Sequence, residues 1–237
     1  MTSRTAHPVR TFLGRAWRNL NRRASRLYMA AQTRRPLALD RLGSTKNGWF
    51  APPGRLEGRR CYCIGVGLDA SYDFALAERG AEVHAFDPTP DAIAYMQREN
   101  AGRVQFHPWG VLDRDASMRL YFPLSPDHGS HFLHDLHGTG QFHEVPCLRL
   151  ATILQRLGHD HVDILKMDIE GSWFEVIPDM LSTGLRPGLL QIEYDSPAPL
   201  WRVASRHRML QAADYVLALR EGDNAVYVLR GEWPEPA

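Results

Sequence analysis

The chain has 237 residues, enough to bury one sizeable core and to form one domain or at most two. Its charge is nearly balanced, with 28 lysines and arginines against 27 aspartates and glutamates, but nine arginines and no acidic residue precede Asp40. The remainder is therefore acidic, which argues against a nucleic-acid-binding body, and no stretch approaches the roughly 18–20 apolar residues that span a bilayer.

The first 40 residues are predicted to be a basic amphipathic arm. From residue 9 to about 33, apolar residues recur at helical spacing with arginines between them. The favoured interpretation is a helix that packs on the body. A membrane-surface helix, which would make peripheral membrane contact, and an organelle presequence are the alternatives.

Two features of the sequence indicate a cytoplasmic protein. The N-terminus lacks the uninterrupted apolar core of a secretion signal. Cys61, Cys63 and Cys147 lie in apolar stretches without the spacing of a metal-ligand set, so they are expected to be reduced core residues.

Residues 41–237 are predicted to form a single α/β domain. Apolar runs and helical patterns alternate, which is typical of a parallel sheet. Strands are expected at about 61–65, 82–86, 104–107, 162–167, 189–194, 215–220 and 225–229. Helices are expected at about 71–79, 90–100, 150–157, 172–181 and 199–213. The last two strands form a hairpin, so we expect a mostly parallel sheet of seven strands in which the C-terminal hairpin strand is antiparallel.

A glycine turn after the first of these strands is a candidate nucleoside site. Gly65, Val66 and Gly67 lead into a helix whose N-terminal amides can face a ligand. Asp87 ends the next strand, where an acid accepts hydrogen bonds from both ribose hydroxyls in nucleoside-binding folds. A tight turn without a ligand is one alternative. A dinucleotide site is another, because the loop through Ala70 also fits the pyrophosphate fingerprint.

A second strand carries acidic groups at its carboxyl end. The run 162–171 reads Val-Asp-Ile-Leu-Lys-Met-Asp-Ile-Glu-Gly and thus contains Leu-Lys-x-Asp-x-Glu-Gly. With the run 85–90 around Asp87 and the later strand that ends at Glu193, it resembles the FkbM family of methyltransferases over about residues 62–194. Two departures are Cys63, where many such enzymes carry an acid, and Asp69, which replaces the third loop glycine.

The resemblance implies the methyltransferase variant of the Rossmann-like fold and S-adenosylmethionine as cofactor. It also implies O-methylation of a small-molecule or glycan hydroxyl. By this resemblance, the residues that contact the cofactor are Gly65, Val66, Gly67, Asp87, Pro88, Trp109, Gly110 and Asp168. Trp109 and Gly110 would lie at the adenine, and Asp168 beside the reacting centre.

Four residues are candidates for catalysis, since ligands bind at the carboxyl ends of strands in open α/β sheets. For Asp168 a functional role is favoured over a structural one, because a carboxylate that ends a buried strand is costly unless it has a partner. Glu193 is a base or acceptor-orienting group, with a helix cap or salt bridge as the alternative. Glu170 is a third candidate for catalysis, with stabilisation of the start of the following helix as the alternative role. Lys166 shares a strand face with Asp168, so a structural ion pair competes with a catalytic role.

The run 128–137 is rich in histidine, but flanking glycines favour a solvated loop or a lid over the acceptor pocket, and no metal is expected. Two other functions compete with methyl transfer. They are an NAD(P)-dependent oxidoreductase and a catalytically silent nucleotide-binding scaffold. The sequence discloses neither the acceptor nor the oligomeric state.

Overall fold

The computed structural model describes residues 8–34, 38–121, 140, 142–194 and 198–233. Its helices are α1 (Pro8–Gln32), α2 (Ser71–Glu78), α3 (Pro90–Glu99), α4 (Leu150–Leu157), α5 (Trp173–Ser182) and α6 (Leu200–Ala212). Its strands are β1 (Asp40–Leu42), β2 (Trp49–Ala51), β3 (Arg60–Ile64), β4 (Glu82–Phe86), β5 (Gln105–His107), β6 (Gly110–Val111), β7 (Ala116–Tyr121), β8 (Phe142–Leu148), β9 (Ile164–Met167), β10 (Leu189–Glu193), β11 (Tyr215–Glu221) and β12 (Asn224–Leu229).

Seven strands form one sheet in the order β11-β12-β10-β9-β3-β4-β5. The pairs from β10 to β5 are all parallel. Strand β12 is antiparallel to β10 on one side and to β11 on the other. The C-terminal hairpin therefore inserts its last strand between β10 and β11, and the expected mixed α/β architecture with a mostly parallel seven-stranded sheet is confirmed.

Apolar side chains cover both faces of this sheet. Tyr62 and Phe86 belong to a cluster with residues of α4, α5 and α6, whereas Cys61 and Cys63 belong to a cluster with residues of α2 and β2. Strands buried on both faces read as nearly continuous apolar runs, which is why their positions could be predicted. All three cysteines are buried and unpaired, as expected, with Cys147 on β8.

The arm helix α1 packs on the body in its described part. Ser25 and Met29 are buried, and the Ser25 hydroxyl donates a hydrogen bond to the Ala198 carbonyl oxygen at 3.1 Å. Arg22 and Arg26 both bind the carboxylate of Asp223 in the hairpin turn. The described helices include none that is both long enough and apolar enough to cross a membrane.

Two small sheets were not predicted from the sequence. Strands β1 and β2 form an antiparallel pair of three residues each, too short to stand out in a segment punctuated by glycine and proline. Strands β6, β8 and β7 form a second sheet in that order. Pro146 lies inside β8 and removes a backbone donor, which argues against a strand at that position. The histidine-rich run 128–137 lies outside the described residues.

Candidate functional site

Two adjoining cavities lie at the carboxyl ends of β3, β4 and β9, and together they form what we call the cleft. The polar lobe encloses about 230 Å³ and the apolar lobe about 130 Å³. The residues that line both lobes are Gly65, Asp87, Thr89, Asp168 and Glu170. Ligands bind at this edge of open parallel sheets, so the cleft lies where the topology places a site.

The glycine turn lies directly against the end of β9. Gly65 donates from its backbone amide to the Phe86 carbonyl oxygen at 2.9 Å, and the Asp168 amide donates to the Ile64 carbonyl oxygen at 3.0 Å. Gly65 has a φ of +84°, and a Cβ at this position would overlap the Asp168 carbonyl group. Only glycine accommodates both the backbone conformation and the close approach.

Asp87 is held by the glycine turn and by the start of α3. Its Oδ2 accepts hydrogen bonds from the amides of Val66 at 3.0 Å and Gly67 at 2.9 Å. Its Oδ1 accepts from the Thr89 amide at 2.9 Å and from the Thr89 hydroxyl at 2.6 Å. These four bonds equal the number of acceptor sites of a carboxylate, so Asp87 is a fully engaged, buried anion.

Lys166 is a buried cation beneath the polar lobe. Its Nζ donates to the Gly65 carbonyl oxygen and lies 5.6 Å from the centre of the Trp49 ring. Burial alone would lower the pKa of Lys166, but the negative charges of Asp168 and Asp73 outweigh burial and raise it. Lys166 is therefore protonated at neutral pH, which makes it unsuited to act as a base.

The short β1–β2 hairpin forms one wall of the polar lobe. Phe50 in β2 donates from its amide to Gln191 Oε1 at 3.1 Å and accepts from the Tyr72 hydroxyl at 3.1 Å. Because Gln191 and Tyr72 are buried in the body, these bonds fix the hairpin against the sheet. Asn47 and Trp49 thereby line the lobe.

Asp168 and Glu170 stand at the mouth of both lobes. Asp168 is partly buried at the end of β9, and Glu170 is exposed in the turn before α5. Glu170 has a φ of +47°, a left-handed conformation that costs a non-glycine residue roughly 1–3 kcal/mol and is concentrated at functional sites. Because α5 begins at Trp173, Glu170 lies outside its first turn, and the helix-start alternative loses its support.

The cleft brings together most of the residues that the sequence indicated. Gly65, Val66, Gly67, Asp87, Lys166, Asp168 and Glu170 line the polar lobe. Pro88 and Gly110 line the apolar lobe with Ile64, Phe86, Val111 and Leu112.

Two predicted site residues lie elsewhere. Trp109 is not in the lining of either lobe, because its ring stacks on His107 at 4.9 Å between centroids. Glu193 is also outside both linings. The pKa of Arg22 in α1 is raised chiefly by its hydrogen bond to Asp223 and further by the negative charge of Glu193, so Glu193 lies near the arm.

Sequence reasoning missed five residues that line the polar lobe, which are Asn47, Trp49, Leu68, Asp69 and Thr89. Asp69 was noted only as a departure from the third loop glycine. Burial favours its neutral form, but hydrogen bonds from Ser44 and Ser71 outweigh burial and lower its pKa. Asp69 also accepts from the Asn47 amide at 3.2 Å, so it ties the hairpin to the glycine turn.

Comparison with known proteins places the chain in a family. Residues 61–217 match the methyltransferase FkbM domain. The chain is also similar to two curated relatives, each named probable methyltransferase-like protein 24, at 24% identity over 123 residues in Homo sapiens and 25% over 125 residues in Rattus norvegicus. Each alignment covers 52% of this chain but only 28% of the relative. Because the family match extends over more than half of its length, this chain belongs to the FkbM methyltransferase family.

Proposed function

We propose that the chain is an S-adenosylmethionine-dependent methyltransferase of the Rossmann-like fold, acting on the hydroxyl of a small molecule or glycan. The observation that carries the proposal is the cleft, in which the glycine turn, Asp87 and Asp168 converge on one polar and one apolar lobe. Together the two lobes reach the lower end of the ~300–1,000 Å³ that small-molecule sites occupy.

The linings of the lobes fit an amphiphilic nucleoside. The polar lobe offers the Asn47 amide and the Asp69 carboxylate to a zwitterionic amino-acid group, with the Lys166 ammonium beneath them. The apolar lobe offers Phe86, Pro88 and other apolar side chains to a flat base. An amino-acid end and an adenine are the two ends of S-adenosylmethionine, so the residues present fit this cofactor.

Asp87 lines both lobes, and the ribose of a bound cofactor would lie beside it, between the amino-acid end and the adenine. All four of its acceptor sites are engaged, so a ribose hydroxyl can be accepted only if a bond to Val66, Gly67 or Thr89 is released. Thr89 is the simplest candidate, because its hydroxyl also caps α3 and can keep that role after turning away from Asp87.

The cofactor, when bound, supplies a methyl group already activated by the positive sulfonium. The chain then has to align the acceptor with it, which contributes several kcal/mol to lowering the barrier. Asp168 lines both lobes and has the carboxylate needed to take the proton of an acceptor hydroxyl, a contribution of about 100–10,000-fold. Lys166 holds Gly65 and balances the charge of Asp168, which makes it a positioning residue.

The exposed surface of helix α1 suggests that the enzyme acts on its acceptor at a membrane surface. Leu20 and Leu27 are 67% and 73% exposed and lie on the side of α1 opposite the buried Ser25 and Met29, whereas Trp17 lines a cavity together with Ser25 and Met29. An apolar stripe flanked by the exposed Arg23 is typical of a helix that lies on an anionic membrane. We therefore include peripheral membrane contact in the proposal.

Flotation with anionic and with neutral vesicles tests this part of the proposal. The full chain should float with anionic vesicles only, and an L20S/L27S variant should not. A Leu68→Ser variant, which removes an exposed leucine from the body, should float like the unchanged chain. Equal flotation of all three proteins would remove membrane contact from the proposal.

Titration calorimetry tests the cofactor assignment. S-adenosylhomocysteine should bind to the full chain, nicotinamide dinucleotide should not, and an Asp87→Ala variant should bind S-adenosylhomocysteine more weakly. Binding of the dinucleotide alone would establish the oxidoreductase alternative, and binding of neither would favour the silent scaffold. A screen with labelled cofactor against cell extracts, followed by mass identification of the labelled product, then identifies the acceptor.

A further inference from the structure

A cluster of histidines and one glutamate lies at the amino end of β4, outside the linings of both lobes of the cleft. Ligand atoms of Glu82, His84 and His159 all lie within 4.8 Å of one another. Glu82 and His84 are on β4, and His159 directly follows the C-cap of α4. Two segments far apart in sequence therefore bring together two imidazoles and a carboxylate.

The spacing of these atoms is that of neighbouring ligands on one ion. His84 Nε2 lies 3.0 Å and His159 Nε2 3.5 Å from the same oxygen, Glu82 Oε1. In a tetrahedral zinc site with metal–ligand distances near 2.0–2.2 Å, two ligand atoms are separated by about 3.3 Å. The two distances to Glu82 bracket this value, and the ligand atoms of the two histidines lie within 4.8 Å of each other.

The other polar atom of each side chain is already held by a neighbour. The Tyr62 hydroxyl is 2.6 Å from His159 Nδ1, and His107 Nε2 is 3.0 Å from His84 Nδ1. Arg60 donates from Nε to Glu82 Oε2 at 3.0 Å. Metal ligands in proteins characteristically have such outer hydrogen bonds, because these fix the orientation and tautomer of the ligand.

Burial also suits metal binding. His84 and His159 are nearly buried, with side chains 2% and 9% exposed, while Glu82 is 40% exposed. The ion would thus have an entry path and room for a water as fourth ligand on the Glu82 side.

We propose that Glu82, His84 and His159 bind a divalent transition-metal ion, with zinc as the expected occupant. Two nitrogens and one oxygen are a ligand set that zinc accepts readily. Such an ion would tie the connection between α4 and β9 to the strand that ends in Asp87. The role is structural, and it is separate from methyl transfer.

The test uses full-length, tag-free protein stripped of metal with a chelator. Calorimetric titration with Zn²⁺ should show one equivalent bound at this site, and Co²⁺ in its place should give the visible spectrum of a tetrahedral complex. Glu82→Gln and His159→Asn should each weaken zinc binding by at least ~10-fold, and Tyr62→Phe, which removes only an outer hydrogen bond, by about 10-fold.

His161→Asn is the matched control, because His161 is an exposed histidine two residues from His159. It should leave zinc affinity unchanged. Glu82→Gln weakens the ion pair with Arg60 on a partly exposed side chain, which costs about 1 kcal/mol at most. Its thermal melting curve without metal should therefore stay cooperative, with a midpoint within a few degrees of that of the unchanged protein, so loss of binding is not confused with unfolding. Absence of zinc uptake overturns the proposal. Uptake that is equal in the Glu82→Gln and His159→Asn variants also overturns it, since the ion is then held elsewhere, for instance by the run 128–137.

Discussion

Replacing Gly65 by alanine tests the structural basis of the cleft most directly. At a φ of +84° an alanine is strained by ~1–2 kcal/mol. Its Cβ would in addition overlap the Asp168 carbonyl group, and overpacking of this kind costs ~1–3 kcal/mol. The expected loss in the free energy of unfolding is therefore ~2–5 kcal/mol, and relief of the overlap moves Asp168 away from the cleft.

Gly158→Ala is the matched control for this substitution. Gly158 ends α4 with a φ of +71°, and a Cβ there would meet no atom within 4 Å, so only the strain of ~1–2 kcal/mol applies. Urea unfolding of both variants gives the two free energies, and calorimetry gives the affinity for S-adenosylhomocysteine. That affinity should fall by at least ~10-fold for Gly65→Ala and stay unchanged for Gly158→Ala. Equal destabilisation by the two substitutions would refute the close contact between Gly65 and Asp168.

Three further outcomes follow from charged groups. Burial raises the pKa of Asp73 to about 6, so the folded chain keeps a proton that the unfolded chain releases near 3.9. Stability is therefore lost as pH rises between these values, and Asp73→Asn should gain ~2 kcal/mol over the unchanged protein between pH 4.5 and 7.5 in urea unfolding. Burial opposes ionisation of Asp223, but hydrogen bonds from Arg26 and Arg22 lower its pKa, so its stabilisation is present above about pH 4 and lost as pH falls below it. Asp223→Asn should cost ~1 kcal/mol, because the arginines are partly exposed, and should speed tryptic cleavage within α1. Glu193→Gln should leave S-adenosylhomocysteine affinity unchanged in calorimetry, because Glu193 lies outside both lobes; a loss equal to that of Asp168→Asn would contradict this placement.

The sheet was predictable from the sequence because its central strands are short, mostly apolar runs with clear ends. The runs that became β3, β9 and β10 are mostly apolar and buried on both faces, and each strand is followed by a helix pattern or a turn signal. Gly65, Asp87 and Asp168 could be predicted to lie at one edge of the sheet, because each follows a parallel strand and the carboxyl ends of parallel strands meet at that edge.

The walls of the cleft could not be predicted because long-range contacts build them. Trp49 reaches the polar lobe only because Gln191 and Tyr72 bind the backbone of Phe50, and no local pattern indicates this. The misplacement of Trp109 has a similar cause. Its neighbour Gly110 lines the apolar lobe, but the Trp109 ring stacks on His107 instead.

Strand β4 links the two candidate sites, with Glu82 as its first residue, His84 as its third and Asp87 directly after its last. Energetic coupling between sites needs an element that can adopt two discrete arrangements. Strand β4 is hydrogen-bonded to β3 on one side and β5 on the other and is buried among helices, so it offers no second arrangement. We therefore expect the sites to be independent, with the same S-adenosylhomocysteine affinity in metal-free and zinc-loaded protein. A change in that affinity would require zinc affinity to change by the same factor, and it would show that the strand is less rigid than its packing implies.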